Sequence, residues 1–270
     1  MSMIKNQFIF LQDIFQNRKM LIQLSMNDLK ARFASSIMGA FWAYVQPLMT
    51  MLVMWFVFQV ALNNGDVNGY PFIVWFVPGF LAWNFFSEAI NMATNSVRDY
   101  SYLVRKINFK VSLIPLVKIL SCSFVHLAFF FLIIFINLIY GVGLSVYNLQ
   151  AIYYFLCMMI LLCGLGWLVS AIAPFAPDVA AIVNIIVGMG FWATPICWNP
   201  DTIAPSIQMI LKLNPMYYIC QGYRDSFVFH RWFWENTWQM NAYFWTFTIL
   251  VFLLGTFVFK KMRPQFADVL

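Results

Sequence analysis

The length of the charge-free runs constrains this chain more than any other feature. No Asp, Glu, Lys or Arg occurs from Ile119 to Pro177, a run long enough for two membrane crossings, and none occurs from Ile37 to Gly65. Val179–Pro200 and Asn236–Phe259 are also free of charge and match one crossing each, and Tyr70–Ser87 supplies a sixth. A hydrocarbon core takes about 20 apolar residues per helix. Composition agrees: 63% of the residues are hydrophobic and 10% charged, whereas a soluble domain has about 45–50% apolar and about 25% charged residues. The expected fold class is therefore an all-α integral membrane protein with six transmembrane helices.

Basic residues give the expected orientation. A formal charge of +6 alone would suit a nucleic-acid partner, but its distribution speaks against one. Lys5, Arg18, Lys19, Lys30 and Arg32 precede the first span; Arg98, Arg105, Lys106, Lys110 and Lys118 lie between spans two and three or at the start of span three; Lys260, Lys261 and Arg263 close the chain. The connections near Asn63–Gly69 and Gly141–Leu149 carry no basic residue. That asymmetry predicts both ends on the cytoplasmic side. The remaining Lys212, Arg224 and Arg231 are balanced by Asp201, Asp225 and Glu235. The first 35 residues are too charged for a signal-peptide core, so a retained N-terminus is expected. Cys122, Cys157, Cys163, Cys197 and Cys220 have neither paired nor metal-ligand spacing, and are expected to stay unpaired.

The expected organisation is one transmembrane domain over 1–270, with spans at 36–62, 71–95, 111–140, 149–173, 178–198 and 237–259. Before them, 1–35 contains an interfacial helix over 11–33. Its apolar side holds Leu11, Ile14, Phe15, Leu21, Ile22, Leu24 and Leu29, and its polar side Gln12, Asp13, Arg18, Lys19, Asn27, Asp28 and Lys30. The same pattern also fits a cytoplasmic helix packed on a partner. Pro78-Gly79 is expected to kink or break span two. Residues 96–110 form a short basic segment, 199–236 an outer hairpin and 260–270 a cytoplasmic tail. The hairpin is too polar to cross, yet has apolar helical patterns at Ile203–Leu213 and Met216–Phe229 broken by Asn214-Pro215. Two short helices re-entering the outer leaflet are expected, which requires protein or a wet cavity around them. Ala180, Asn184 and Gly188 recur on one face of span five, a pattern that lets helices approach closely.

Catalytic patterns are missing. There is no HExxH, CxxC, GxSxG or Walker A sequence, so ATP-driven work would need a separate subunit. His126 is expected to make a polar contact between helices. Glu88 is the one candidate acid for coupling ions within the spans; its structural reading is an ion pair with Arg98 or Lys106 at the headgroup level. What stands out instead is aromatic content, at 20% of the chain. An interfacial belt explains Trp198 and Trp232–Trp238, but Trp55 and Phe191 fall in mid-span. Aromatic faces suit stacking on the C–H face of a sugar.

Asp28-Leu29-Lys30-Ala31-Arg32-Phe33 with Ser36, Gly39, Trp42 and Gln46-Pro47-Leu48 resembles the entrance to the type-2 ABC permeases of polysaccharide export. Ser170-Ala171, Pro174, Asp178-Val179 and Thr194-Pro195-Ile196 resemble their spans four and five. Asn214-Pro215, Gly222–Phe227, Arg263-Pro264 and Phe266–Leu270 complete the likeness in order along the chain. Phe33 and Met38 stand where the family often has tyrosine and leucine.

The resemblance implies a homodimer in a bacterial inner membrane, working with two cytoplasmic ATPase subunits that bind ATP and Mg, while this chain binds no cofactor. The cargo implied is a lipid-linked polysaccharide, of O-antigen or capsule type in preference to wall teichoic acid. A membrane glycosyl- or acyltransferase and a drug exporter are the competing readings. The resemblance also implies that Arg98, Arg105, Lys106 and Asn108 contact the ATPase. Spans one, two and five would surround a polymer path bearing Trp42, Trp55, Trp75, Phe191 and Trp192. Asn214, Pro215, Tyr217, Tyr218, Arg224 and Asp225 would shape the outer hairpin.

Overall fold

The computed structural model describes residues 16–63, 65–104, 109–235 and 237–269. A helix α1 (Arg18–Arg32) leads through a turn into α2 (Trp42–Trp55), which continues as a wider helical stretch over Phe56–Ala61. Then come α3 (Phe72–Asp99), α4 (Ser101–Val104), α5 (Ile114–Ile139), α6 (Gln150–Ile172) and α7 (Asp178–Ala193). Two short helices, α8 (Pro205–Leu211) and α9 (Pro215–Arg224), precede α10 (Trp238–Met262) and α11 (Phe266–Val269).

Among the described residues, five helices are long and apolar enough to cross a membrane: Gly39–Ala61, Phe72–Asp99, Val111–Ile139, Val146–Ile172 and Trp238–Gln265. The fifth expected span is shorter. Its helix α7 has 16 residues, about 24 Å at 1.5 Å per residue, against a core of about 30 Å.

Local chemistry sets the helix ends. Gly141 has φ +73° just beyond α5; Val142 N–H donates to Asn137 O at 2.9 Å and Gly141 N–H to Leu138 O at 3.3 Å. Both orphan carbonyls are satisfied by this left-handed cap. Ser145 and Asn148 form a reciprocal capping box that starts the next helix. Pro205 and Pro215 open α8 and α9 at the position where a missing N–H costs nothing.

Helix α3 is the centre of the bundle. In its most apolar stretch 78% of the residues are buried, against 11% in that of Gly39–Ala61. Pro78-Gly79 does not break it, since the helix is continuous through both residues. Helices α6 and α10 make the tightest crossing: a Cβ on Gly255 would lie 2.1 Å from Gly164 O, and one on Gly164 would lie 2.8 Å from the Phe252 backbone. Only glycine permits that approach, so backbone dispersion replaces the hydrophobic driving force that lipid cannot supply.

A second apolar cluster closes one end. Leu21 of α1, Val97, Leu113, Trp167 and Ala171 meet Phe259 and Phe266 from the C-terminal end. The first and last described helices therefore share an end, and the α8–α9 hairpin lies at the other, where Asn148 and Gln150 hold Ser226 and Arg231 by hydrogen bonds.

The outer face of α1 differs from the expected one. Ile22 is exposed, while Ser25 and Asp28 are buried with Leu21 and Leu29. Asp28 faces inward because its ionic partner Lys118 lies on α5 and its hydrogen-bond donor Tyr100 just beyond the end of α3. Leu11, Ile14 and Phe15 lie outside the described residues.

Candidate functional site, a polar groove along the central helix

A groove runs along α3 between α2 and α7. Towards the hairpin end it is lined by Met54, Phe80, Trp83, Val187, Phe191 and Trp192, in a cavity of about 360 Å³. Towards the α1 end it is lined by Ala43, Gln46, Pro47, Glu88 and Met92, in a cavity of about 310 Å³. Thr50, Asn84, Ser87 and Asn91 line both, and Asn184 the first, so the two cavities adjoin along α3. Asn84, Ser87 and Asn91 recur at i, i+3 and i+7 on α3 and so share one face. Asn91 Oδ1 is buried without a hydrogen-bond partner.

Amides at such depth are costly against lipid and belong where they meet protein or a wet cavity. Aromatic residues of α3 and α7 line the groove as well: Phe191 of α7 packs edge-on against Phe80 at 6.5 Å and Trp83 at 6.3 Å, both of α3, and Trp192 adjoins it at 5.2 Å.

An ion cluster seals the α1 end. Asp28 receives Lys118 Nζ at 2.8 Å and the Tyr100 hydroxyl at 2.7 Å. Lys118 also reaches Asp99 at 3.1 Å. Arg32 pairs with Glu88, approaches Asp28 at 3.8 Å, and donates to Ser121 and Cys122 at 3.5 Å. Glu88 is thus joined to Arg32, correcting the expected pairing at the headgroups. Arg98 instead donates to Ala173 O at 2.9 Å, tying the end of α3 to the α6–α7 turn; Lys106 lies outside the described residues. Burial by itself would raise the Asp28 pKa, but hydrogen bonds from Lys118 and Tyr100 and the Lys118 charge outweigh it and hold the carboxyl below its ordinary value.

At the other end the hairpin penetrates deeply. The Tyr223 hydroxyl lies 2.8 Å from Nε2 of His126, at the midpoint of α5, which makes His126 the interhelical contact expected. A Cβ on Gly222 would lie 2.1 Å from the Tyr154 ring, so glycine lets α9 settle against α6. Arg224 is fully buried; Nε donates to Trp75 O and Nη2 to Ile196 O, both at 3.1 Å, and the guanidinium carbon lies 3.6 Å from the centre of the Trp75 ring. One side chain thus clamps α9 to the start of α3 and to the segment after α7. Beside it opens a basin of about 480 Å³ lined by Trp75, Asp201, Lys212, Tyr217, Gln221 and Arg231, among others.

Of the aromatic residues expected on a path, Phe191 and Trp192 line the groove. Trp75 lies under Arg224 at the basin. Trp55 donates to Gln59 at 2.5 Å and packs on the core, and Trp42 is exposed at the opposite end of α2. Arg105, Lys106 and Asn108 lie outside the described residues. In the hairpin, Asn214 caps α9 by accepting from Met216 N–H and donates to Thr194 Oγ1 at 2.7 Å. Pro215 is the first residue of α9, and Tyr217 lines the basin. Tyr218 stacks on Phe244 at 4.6 Å, and Asp225 accepts from Gln221 at 3.2 Å.

Sequence reading missed Trp83, Asn84, Ser87 and Asn91. The signal was present as a polar stripe at helical spacing inside an apolar helix.

A family model described as ABC-2 type transporter matches residues 20–228. The chain belongs to the ABC-2 type transporter family. Among similar members, the O-antigen export system permease protein RfbA of Myxococcus xanthus is 27% identical over 82% of this chain and 84% of its own length. A protein of the same name from Klebsiella pneumoniae is 24% identical over 93% of this chain and 95% of its own length. The polysialic acid transport protein KpsM of Escherichia coli is 19% identical over 78% of this chain and 83% of its own. The matched region takes in most of α1, the groove helices α2, α3 and α7, and the short helices α8 and α9.

Proposed function

We propose that this chain is the transmembrane subunit of an ATP-driven exporter, and that it moves a lipid-linked polysaccharide along the groove between α2, α3 and α7. The observation that carries this is an amide-lined groove with aromatic side chains and a single charged residue, Glu88, among its described lining residues, set along the apolar helices of an ABC-2 transporter chain. Relatives named for O-antigen export support an O-antigen or capsule type of cargo.

The working unit is a homodimer in the bacterial inner membrane with both termini cytoplasmic. The open faces of α2 and α7 support this: Met49, Val53, Ile182, Ile185, Ile186 and Met189 are exposed in the single chain, and a second copy across the groove would cover them. Two cytoplasmic ATPase subunits supply ATP hydrolysis and dock on 98–110.

Deleting the gene should remove one polysaccharide from the cell surface and leave it inside the cell. Unchanged surface glycan would overturn the proposal. Reversing Arg105 and Lys106 to Glu should release the ATPase on purification while membrane levels stay constant; normal co-purification and export would exclude docking there.

A further inference from the structure

Resting on that reading, we propose that the groove selects an uncharged polyhydroxylated polymer and rejects a polyanionic one. The hydrogen-bonding side chains of its central stretch are Thr50, Asn84, Ser87, Asn91 and Asn184. An amide offers two N–H donors and a carbonyl acceptor, which matches hydroxyl groups that both give and accept hydrogen bonds. Asn84 and Asn91, seven residues apart, lie about 10 Å apart along α3, so a passing chain meets a fresh amide as it leaves the last. Asn91 Oδ1 is buried without a partner, so this amide can turn its oxygen towards a hydroxyl without giving up an acceptor bond. Trp83, Phe191 and Trp192 line the same cavity as these amides, so a sugar ring in it meets both apolar aromatic surface and hydrogen-bonding groups.

Charge points the same way. Glu88 is the one ionisable residue among those lining the two cavities, and it is acidic. At the α1 end the cations Arg32 and Lys118 are already committed to three acids, Asp28, Glu88 and Asp99. A carboxylate on every repeat would leave water with no cation to meet it, and would pass Glu88 on the way. A second copy of the chain adds the same residues and so changes nothing in this balance.

The experiment is to delete the gene in its own host, identify the glycan that disappears from the surface, and determine its charged groups per repeat. A neutral repeat is expected. A repeat carrying a carboxylate, phosphate or sulfate would overturn the selectivity while leaving the export reading intact; loss of no glycan would overturn the export reading itself, and this inference with it. Complementation adds a second test. Asn84→Leu with Asn91→Leu should reduce surface polymer at least tenfold at unchanged membrane level, and Asn84→Ser with Asn91→Ser should restore it. Export at the native rate by the Leu pair would overturn the role of the amides. The glycan composition decides selectivity even if the Leu pair fails to accumulate.

Discussion

Replacing Arg224 with Met removes the clamp that ties the hairpin to two other segments. Arg224 donates to Trp75 O and Ile196 O at 3.1 Å and stacks on the Trp75 ring, with no exposure to solvent. Hydrogen bonds from a charged donor contribute about 1.5–3 kcal/mol each, and a desolvated stack on Trp contributes about 2 kcal/mol. Relief of the cost of burying a guanidinium offsets part of this, and the thioether of Met recovers some packing. The net loss works out at roughly 2–4 kcal/mol, which corresponds to a fall in Tm of roughly 5–15 °C at this chain length. Arg224→Lys keeps the charge but cannot reproduce the fork, so it should fall between the two. The assay is thermal denaturation of the purified protein in detergent, read by fluorescence-detected size exclusion, with proteolysis of the hairpin as a second readout. A Met variant within about 2 °C of the parent, with an equally resistant hairpin, would refute the clamp.

Three further outcomes follow from the geometry. Against the effect of burial, the Asp28 pKa is lowered in the folded chain, chiefly by Lys118, so its contribution is complete above the ordinary carboxylate pKa of about 4 and fades as pH falls through the folded value; Lys118→Met should therefore be less stable than the parent near neutral pH, with the difference shrinking as the pH falls below about 4, and a difference that does not change with pH would contradict this. Gly255→Leu forces α10 away from Gly164 O and should abolish stable expression, whereas Gly188→Ala, with open space around it, should express normally; equal yields would count against the close crossing. Trp192→Leu should impair export and Trp55→Leu should spare it, since only Trp192 lines the groove; export rates normalised to membrane level check this, and the reverse order would place the path elsewhere.

The apolar segments were legible because lipid demands a long charge-free run and little else produces one. The hairpin was legible as a segment, since Asn214-Pro215 separates two patterns and Asn214 indeed caps α9. Its depth was not, because the contacts that fix it, Tyr223 with His126 and Arg224 with Trp75, join residues about a hundred or more positions apart. The same separation hid the partner of Glu88: Arg32 lies 56 residues before it, on a helix whose charged residues read as a solvated face. Asn84 and Asn91 carry no motif, and their meaning depends on the neighbouring helices leaving them a channel. Periodicity places them on one face of α3; only packing shows that the face is open.

The account rests on polymer passing along the groove, and site-specific photo-crosslinking tests that most directly. A photoreactive residue at position 188, where Gly188 lines the groove in open space, compared with one at position 131 on the exposed side of α5, where Phe131 is 75% exposed, should be introduced into exporting cells. An ATPase-dependent glycan adduct is predicted at position 188 and none at 131. Adducts at 131 without any at 188, or equal labelling at both, would contradict passage along the groove.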